Sequence, residues 1–391
     1  MKKRRPLGLD TRAVHAGKIS DPSGALADPI FQTAPFSFSG TDALEKAATG
    51  QPPDAFYTRE GNPNWSAAEK KLALLEGAED AALFGSGMGA ISTAFLAHLK
   101  SGDHVIATED LYGGAIRLFR EVLEPIGVSF TLVKTEPRPK VEEAIRENTR
   151  WIYVESPTNP LVKIVDLEFV GEIARRRHLT AVIDGTFASP ILQRPIELGF
   201  DLVLHSATKY LNGHADVTAG FAAGSRKMLE PIRSRRTRIG AILDPHAAFL
   251  LARGMKTVGL RVRAQSENAL LLAGFLSKSA SVERVHYPGL PSHEGHEAAR
   301  RQMAAFGAML AFDVRGGLPA AQAFLSRLRL VTLATSLGSV ETTADLPWLT
   351  SHRAVAPEKK RELGIEEGTI RLSVGIEDID DLCDDLEEAL G

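Results

Sequence analysis

Between residues 80 and 223 the sequence alternates short β-rich runs with helical stretches, a pattern few architectures can absorb. The runs are Ala81 to Phe84, His104 to Thr108, Ser129 to Val133, Trp151 to Val154, Thr180 to Ile183, Leu202 to His205 and Gly220 to Ala223. Helical segments fall between them near Met88 to Leu99, Ala115 to Pro125, Val141 to Glu147 and Leu167 to Arg177. Runs that are apolar throughout suit strands covered on both faces, and a helix between consecutive strands is a crossover connection. The pattern predicts an α/β domain built on a mainly parallel sheet of about seven strands, with helices on both faces.

The flanks read differently. Residues 1 to 60 carry Pro22, Pro29, Pro35, Pro52 and Pro53 without sustained periodicity, which predicts an extended arm of the kind that lies on a partner. Asn62-Pro63 then supplies an N-cap and a proline at the first helical position, with Ala68, Leu72 and Leu75 at helical spacing as far as Glu76. A long amphipathic stretch, Pro245 to Lys278, leads to a second domain. Its strand candidates are Met309 to Val314 and Thr369 to Val374, and it ends in the acidic helix Asp378 to Leu390, an α+β arrangement. The expected division is an arm over 1–60, a cofactor-binding domain over 61–250 and a smaller C-terminal domain over 251–391.

Composition narrows the function. The 391 residues are 44% hydrophobic and 24% charged, as in a folded globular chain, and long enough for two cores. With a formal net charge of −3, the basic clusters Lys2 to Arg5 and Arg233 to Arg238 are too small for a nucleic-acid footprint. Cys383 stands alone, so neither an internal disulfide nor a cysteine metal cluster can form, and no metal site is expected. Asp10, Arg12 and His15 interrupt any signal-peptide apolar core after Lys2 to Arg5. The longest apolar stretch, Leu270 to Leu276, is far shorter than the roughly 20 residues that span a bilayer. The expected setting is the cytoplasm, with small molecules as ligands and no membrane partner.

Three segments carry chemistry. Phe84-Gly85-Ser86-Gly87-Met88-Gly89-Ala90 leaves a strand and opens a helix, so its backbone N–H groups can receive a phosphate. The same letters satisfy G-x-G-x-x-A, and Glu109 and Asp110 follow about 20 residues later, as the ribose acid does in a dinucleotide site. A second segment, Thr180 to Asp184, ends an apolar strand in a carboxylate, either a helix cap or a ligand group at the sheet edge. The third, Ser206-Ala207-Thr208-Lys209, brings two hydroxyls and an amine to a strand end. Desolvation or a nearby cation lowers a lysine's pKa, as a Schiff-base amine requires. A pyridoxal 5'-phosphate (PLP) site needs a lysine for the aldehyde, an acid for the pyridine nitrogen and a phosphate cup, whereas a dehydrogenase needs no lysine–acid pairing.

Further motifs complete a resemblance over nearly the whole chain. They are Tyr57-Thr58-Arg59 with Gly61-Asn62-Pro63, Gly85-Ser86-Gly87-Met88, Leu111-Tyr112-Gly113-Gly114 and Glu155-Ser156-Pro157-Thr158-Asn159-Pro160. Asp184, Ser206-Ala207-Thr208-Lys209-Tyr210, Ser336-Leu337-Gly338 and Arg371-Leu372-Ser373 follow in order. The chain resembles the Cys/Met-metabolism PLP enzymes, the group that holds cystathionine γ-synthase, cystathionine γ-lyase, methionine γ-lyase and the O-acylhomoserine sulfhydrylases. The resemblance implies the type I fold of PLP-dependent transferases. It makes Lys209 the Schiff-base lysine and α-proton shuttle, Asp184 the partner of the pyridinium nitrogen, and Tyr112 the ring-stacking acid–base group. Gly87, Met88, Ser206 and Thr208 would hold the phosphate, joined by Tyr57 and Arg59 from a neighbouring subunit. Asn159 would meet the ring hydroxyl, and Arg371 with Ser336 the substrate carboxylate. A homo-oligomer, a dimer of dimers, is implied.

Two positions bear on specificity. Cystathionine-handling members carry a glutamate immediately before Ser-Leu-Gly, suited to a distal amino group, and this chain has Thr335. Methionine γ-lyases commonly carry cysteine two residues after the ring-stacking tyrosine, where this chain has Gly114. The uncharged Thr335 favours γ-elimination on methionine or a homocysteine-like amino acid, possible also on cystathionine, giving 2-oxobutyrate, ammonia and a thiol. The alternative is γ-replacement on an O-acylhomoserine.

Overall fold

The computed structural model describes residues 7–49 and 56–391; Lys2 to Arg5, Pro52 and Pro53 lie outside the described residues. The described residues form twelve strands. They are β1 Asp80–Phe84, β2 His104–Thr108, β3 Ser129–Val133, β4 Thr149–Glu155, β5 Thr180–Asp184 and β6 Leu202–Ser206. The others are β7 Gly220–Gly224, β8 Val282–His286, β9 Met309–Val314, β10 Thr332–Leu333, β11 Thr343–Asp345 and β12 Thr369–Ser373. A seven-stranded sheet has the order β1-β7-β6-β5-β4-β2-β3, and a smaller five-stranded sheet the order β10-β11-β12-β9-β8. The expected fold class, α/β on a mainly parallel sheet of seven strands, is what the chain forms, and the second, five-stranded sheet accompanies it.

The described residues cluster into two compact units, one running to His98 and resuming over Asp201–Val258, the other comprising Leu99–Phe200 and Gly259–Gly391. In the first, β7 runs antiparallel to both β1 and β6. Strands β1, β6 and β7 are buried almost throughout, which is why their sequences lack polar alternation. Helix Pro63–Glu76 begins as expected: Asn62 has an extended backbone, its side chain accepts the Asn64 N–H at 2.9 Å, and Pro63 takes the first turn. In the second unit, β2 pairs in parallel with β3 and β4, and β4 with β5. Strand β12 lies between β11 and β9, antiparallel to both.

Several expectations are corrected. The arm is not wholly extended, since Leu9–His15 and Thr41–Ala48 are helices too short to show a sequence period. The stretch Pro245 to Lys278 is two helices, Pro245–Met255 and Val258–Leu276. Between them Lys256 and Thr257 donate to carbonyls only three residues back, which tightens and ends the first helix. The helix expected over Ala115 to Pro125 starts at Gly113 and is regular only to Leu118. It then widens to a π turn over Phe119–Leu123 and closes as a 3-10 turn where Pro125 offers no N–H. Val141 to Glu147 forms only a 3-10 turn, Val141–Ala144. Among the described residues, no helix is long and apolar enough to cross a membrane.

Candidate active site

In the first unit, β1 ends at Phe84 and the chain turns through Gly85 and Ser86 into the helix Gly87–His98. Ser86 Oγ accepts the Gly89 N–H at 2.9 Å. A Cβ on Gly87 would lie 2.8 Å from Ser206 Cβ, and one on Gly220 would lie 2.0 Å from the Ser86 carbonyl oxygen. Both positions therefore need glycine, and the absence of a side chain at residue 87 sets the helix N-terminus against Ser206, the last residue of β6. A helix start, a bare backbone and an adjoining hydroxyl form a cradle suited to a phosphate. Met88 is half-buried beside it.

Lys209 follows three residues after β6, in a turn whose Lys209 N–H donates to the Ser206 carbonyl at 3.1 Å. The Thr208 hydroxyl donates to the Ala219 carbonyl at 3.2 Å and accepts the Ala219 N–H at 3.0 Å. Thr208 thus ties the lysine turn to the segment that enters β7, a job separate from the phosphate contact the resemblance assigns it. In the arm, the Arg59 guanidinium lies 5.1 Å from the Tyr57 ring centroid, and Tyr57 is 38% exposed.

The second unit supplies the acid and the carboxylate anchor. Asp184 ends β5 directly opposite Glu155, which ends β4. Asp184 Oδ1 accepts the Thr186 N–H at 2.9 Å, closing a local turn; the short helix Ser189–Leu192 begins instead from Ala188. Asp184 is therefore not a helix cap, and a strand-end carboxylate fits a ring nitrogen that must stay protonated. Glu155 is buried, and its Oε1 accepts the Tyr112 backbone N–H at 2.7 Å. Burial first, then the negative charge of Asp184, raises the Glu155 carboxyl well above its ordinary range. Tyr153, on the same face two residues earlier, is held as the phenol by burial and by these two carboxylates. Tyr112 is 47% exposed, and Gly114 lies in the helix that Tyr112 begins.

Arg371 lies in β12 and is 4% exposed. Its Nη1 donates to Asn159 Oδ1 at 2.8 Å, its Nη2 to the Ser336 carbonyl at 3.0 Å, and Asp345 Oδ2 is 2.9 Å from Nη2. Ser336 presents that carbonyl from a left-handed backbone, φ 84°, costly for a residue with a side chain. Thr335 is exposed immediately before it.

Within each unit, then, the expected residues gather: Gly87 and Met88 with Ser206, and Asn159 and Ser336 with Arg371. Sequence reasoning passed over the roles of Glu155 and Asp345. A carboxylate ending the apolar run Trp151 to Val154 was a usable signal for the first. Asp345 sits in a three-residue strand too short to announce itself. The same geometry rules out the dinucleotide rival. Asp110 is buried and bonded through both oxygens to Lys163, Glu109 pairs with Lys359, and β1 pairs with β7 rather than with β2. The acids a ribose would need are engaged elsewhere, and the adjacent βαβ unit is missing.

The chain is similar to known proteins along nearly its whole length. An L-methionine gamma-lyase from Porphyromonas gingivalis is 42% identical over 386 residues, 98% of this chain and 97% of its own. A cystathionine beta-lyase from Coxiella burnetii is 44% identical over 386 residues with the same two coverages, 98% and 97%. Among solved structures, a cystathionine gamma-lyase from Lactobacillus plantarum complexed with L-serine matches with a TM-score of 0.92 at 38% identity, covering 98% of each chain. Residues 10–391 match the family described as Cys/Met metabolism PLP-dependent enzyme, and the chain belongs to that family of PLP-dependent enzymes.

Proposed function

We propose that the chain is a carbon–sulfur lyase that catalyses γ-elimination on methionine or a homocysteine-like amino acid, releasing 2-oxobutyrate, ammonia and a thiol. The observation that carries this reading is Thr335, uncharged and exposed beside Ser336, whose carbonyl meets the carboxylate anchor Arg371. An anchor for the α-carboxylate with no charge for a distal amino group suits a substrate whose far end is neutral.

Gly87, Met88, Ser206 and Thr208 would hold the phosphate, Lys209 would take the aldehyde, Asp184 would face the ring nitrogen and Asn159 the ring hydroxyl. Asn159 Oδ1 is taken by Arg371, so its amide nitrogen is the group that serves the ring. Bound PLP supplies the electron sink that makes the substrate α-proton acidic. Arg371 orients the substrate through its carboxylate, a planar fork meeting a planar anion. Lys209 removes the α-proton and then handles the β-proton, while Tyr112 donates a proton to the departing sulfur. With water consumed, the carbon skeleton leaves as 2-oxobutyrate and the nitrogen as ammonia. Tyr57 and Arg59 serve the phosphate of a neighbouring subunit in a homo-oligomer, in keeping with their exposure on one chain. The working compartment is the cytoplasm, in keeping with a single cysteine.

The name of the Coxiella burnetii relative favours one second reading, β-elimination on cystathionine. A product assay on PLP-loaded protein separates the readings, using L-methionine, L-homocysteine, L-cystathionine and O-acetylhomoserine, each with and without a thiol. Formation of 2-oxobutyrate from methionine or homocysteine without an acceptor supports the proposal. Pyruvate from cystathionine as the main product replaces it with the second reading. Thioether formed mainly from acylhomoserine and thiol makes the enzyme a γ-replacement transferase instead.

A further inference from the structure

Asp345 closes β11 directly opposite Arg371 on β12, and cross-strand partners of this kind share a face of the sheet. Both side chains of the pair are 4% exposed. Each oxygen of Asp345 has a defined job: Oδ2 meets Arg371 Nη2 at 2.9 Å, and Oδ1 accepts the Thr350 hydroxyl at 2.7 Å. Arg371 also donates to Asn159 Oδ1 and to the Ser336 carbonyl, both neutral acceptors. A buried ion pair contributes little to stability compared with apolar residues of the same shape. Its value here is geometric, because an arginine has a rotamer-rich stem and binds a carboxylate well only with its fork held in plane.

We propose that Asp345 is a positioning residue, fixed by Thr350, that holds the Arg371 guanidinium in the orientation that receives the substrate α-carboxylate. The proposal rests on the reading of Arg371 as that anchor. It carries a sign that simple electrostatics would reverse. As a bare counter-ion, Asp345 repels an incoming carboxylate and competes for its donors, so removing it tightens binding. As a positioning residue, its removal frees the fork and weakens binding.

The test uses PLP-loaded protein and two probes read by the change in cofactor absorbance. L-Norleucine has methionine's shape without a leaving sulfur; 1-aminopentane is the same chain without the carboxylate. Asp345→Asn and Asp345→Ala should raise the Kd for norleucine by about tenfold or more while changing that for 1-aminopentane by less than about twofold. KM for methionine should rise more than kcat falls, and Thr350→Val should act in the same direction by a smaller factor. Norleucine binding unchanged or tightened in Asp345→Asn, or equal weakening of both probes, overturns the proposal. Arg371→Lys separates the two layers. If it leaves norleucine affinity intact, the anchor reading fails. If it weakens norleucine while Asp345→Asn does not, only the role of Asp345 fails.

Discussion

Glu155 and Asp184 end neighbouring parallel strands in register, so two carboxylates stand side by side at one edge of the sheet. Like charges so placed cannot both ionise cheaply, and Glu155, buried and raised well above its ordinary range, is the one driven to keep its proton. Its Oε1 accepts the Tyr112 backbone N–H. A glutamine has the same shape and the same accepting oxygen, so Glu155→Gln should keep kcat/KM within about threefold. Glu155→Leu removes the acceptor of the Tyr112 N–H and loosens Tyr112, with a loss of about 10- to 100-fold. Steady-state kinetics of the two variants check this.

Gly87→Ala should weaken PLP binding by about tenfold or more, because its Cβ would lie 2.8 Å from Ser206 Cβ and one of the two segments must move. Gly274, with nothing within 4 Å of an added Cβ, is the control whose replacement by alanine should leave PLP affinity unchanged. Titration of cofactor-free protein with PLP reads both.

How much of this was legible beforehand follows burial and length. Strands β2 and β9 run over the residues their apolar stretches predict, because strands covered on both faces leave a nearly unbroken hydrophobic signature, and the half-buried edge strand β3 also keeps its expected bounds. Strand β8, Val282–His286, escaped notice because Glu283 and Arg284 are exposed and break the run. The phosphate cup was legible as letters but ambiguous as chemistry until β1 was seen to pair with β7 and Asp110 with Lys163. Asp345 could not be read at all, since its meaning lies in a cross-strand register with a residue 26 positions away in sequence.

Thr335→Glu should shift preference toward cystathionine. A carboxylate beside Ser336 would attract the distal ammonium, but an exposed ion pair is weak, so the ratio of kcat/KM for cystathionine to that for methionine should rise by about three- to tenfold. Competition assays with the two substrates measure the ratio directly.

Acid should destabilise the protein through His104. Its ring is buried between the Thr149 and Thr131 hydroxyls, and burial, then Arg146, lowers its pKa to about 4. The folded state holds the ring neutral while the unfolded chain protonates near the ordinary value of about 6.5. Stability from this group is therefore full above about pH 6.5 and is lost as pH falls toward about 4. The melting temperature of cofactor-free protein should fall across that window, and His104→Gln should flatten the decline.

The most direct test of the account is the position of the cofactor lysine. Reduction of PLP-loaded protein with borohydride, digestion and mass spectrometry locate the fixed pyridoxyl group. It should lie on the peptide bearing Lys209 and be absent from Lys209→Ala, which should also lose turnover. A label fixed on any other lysine, or wild-type turnover in Lys209→Ala, would contradict it.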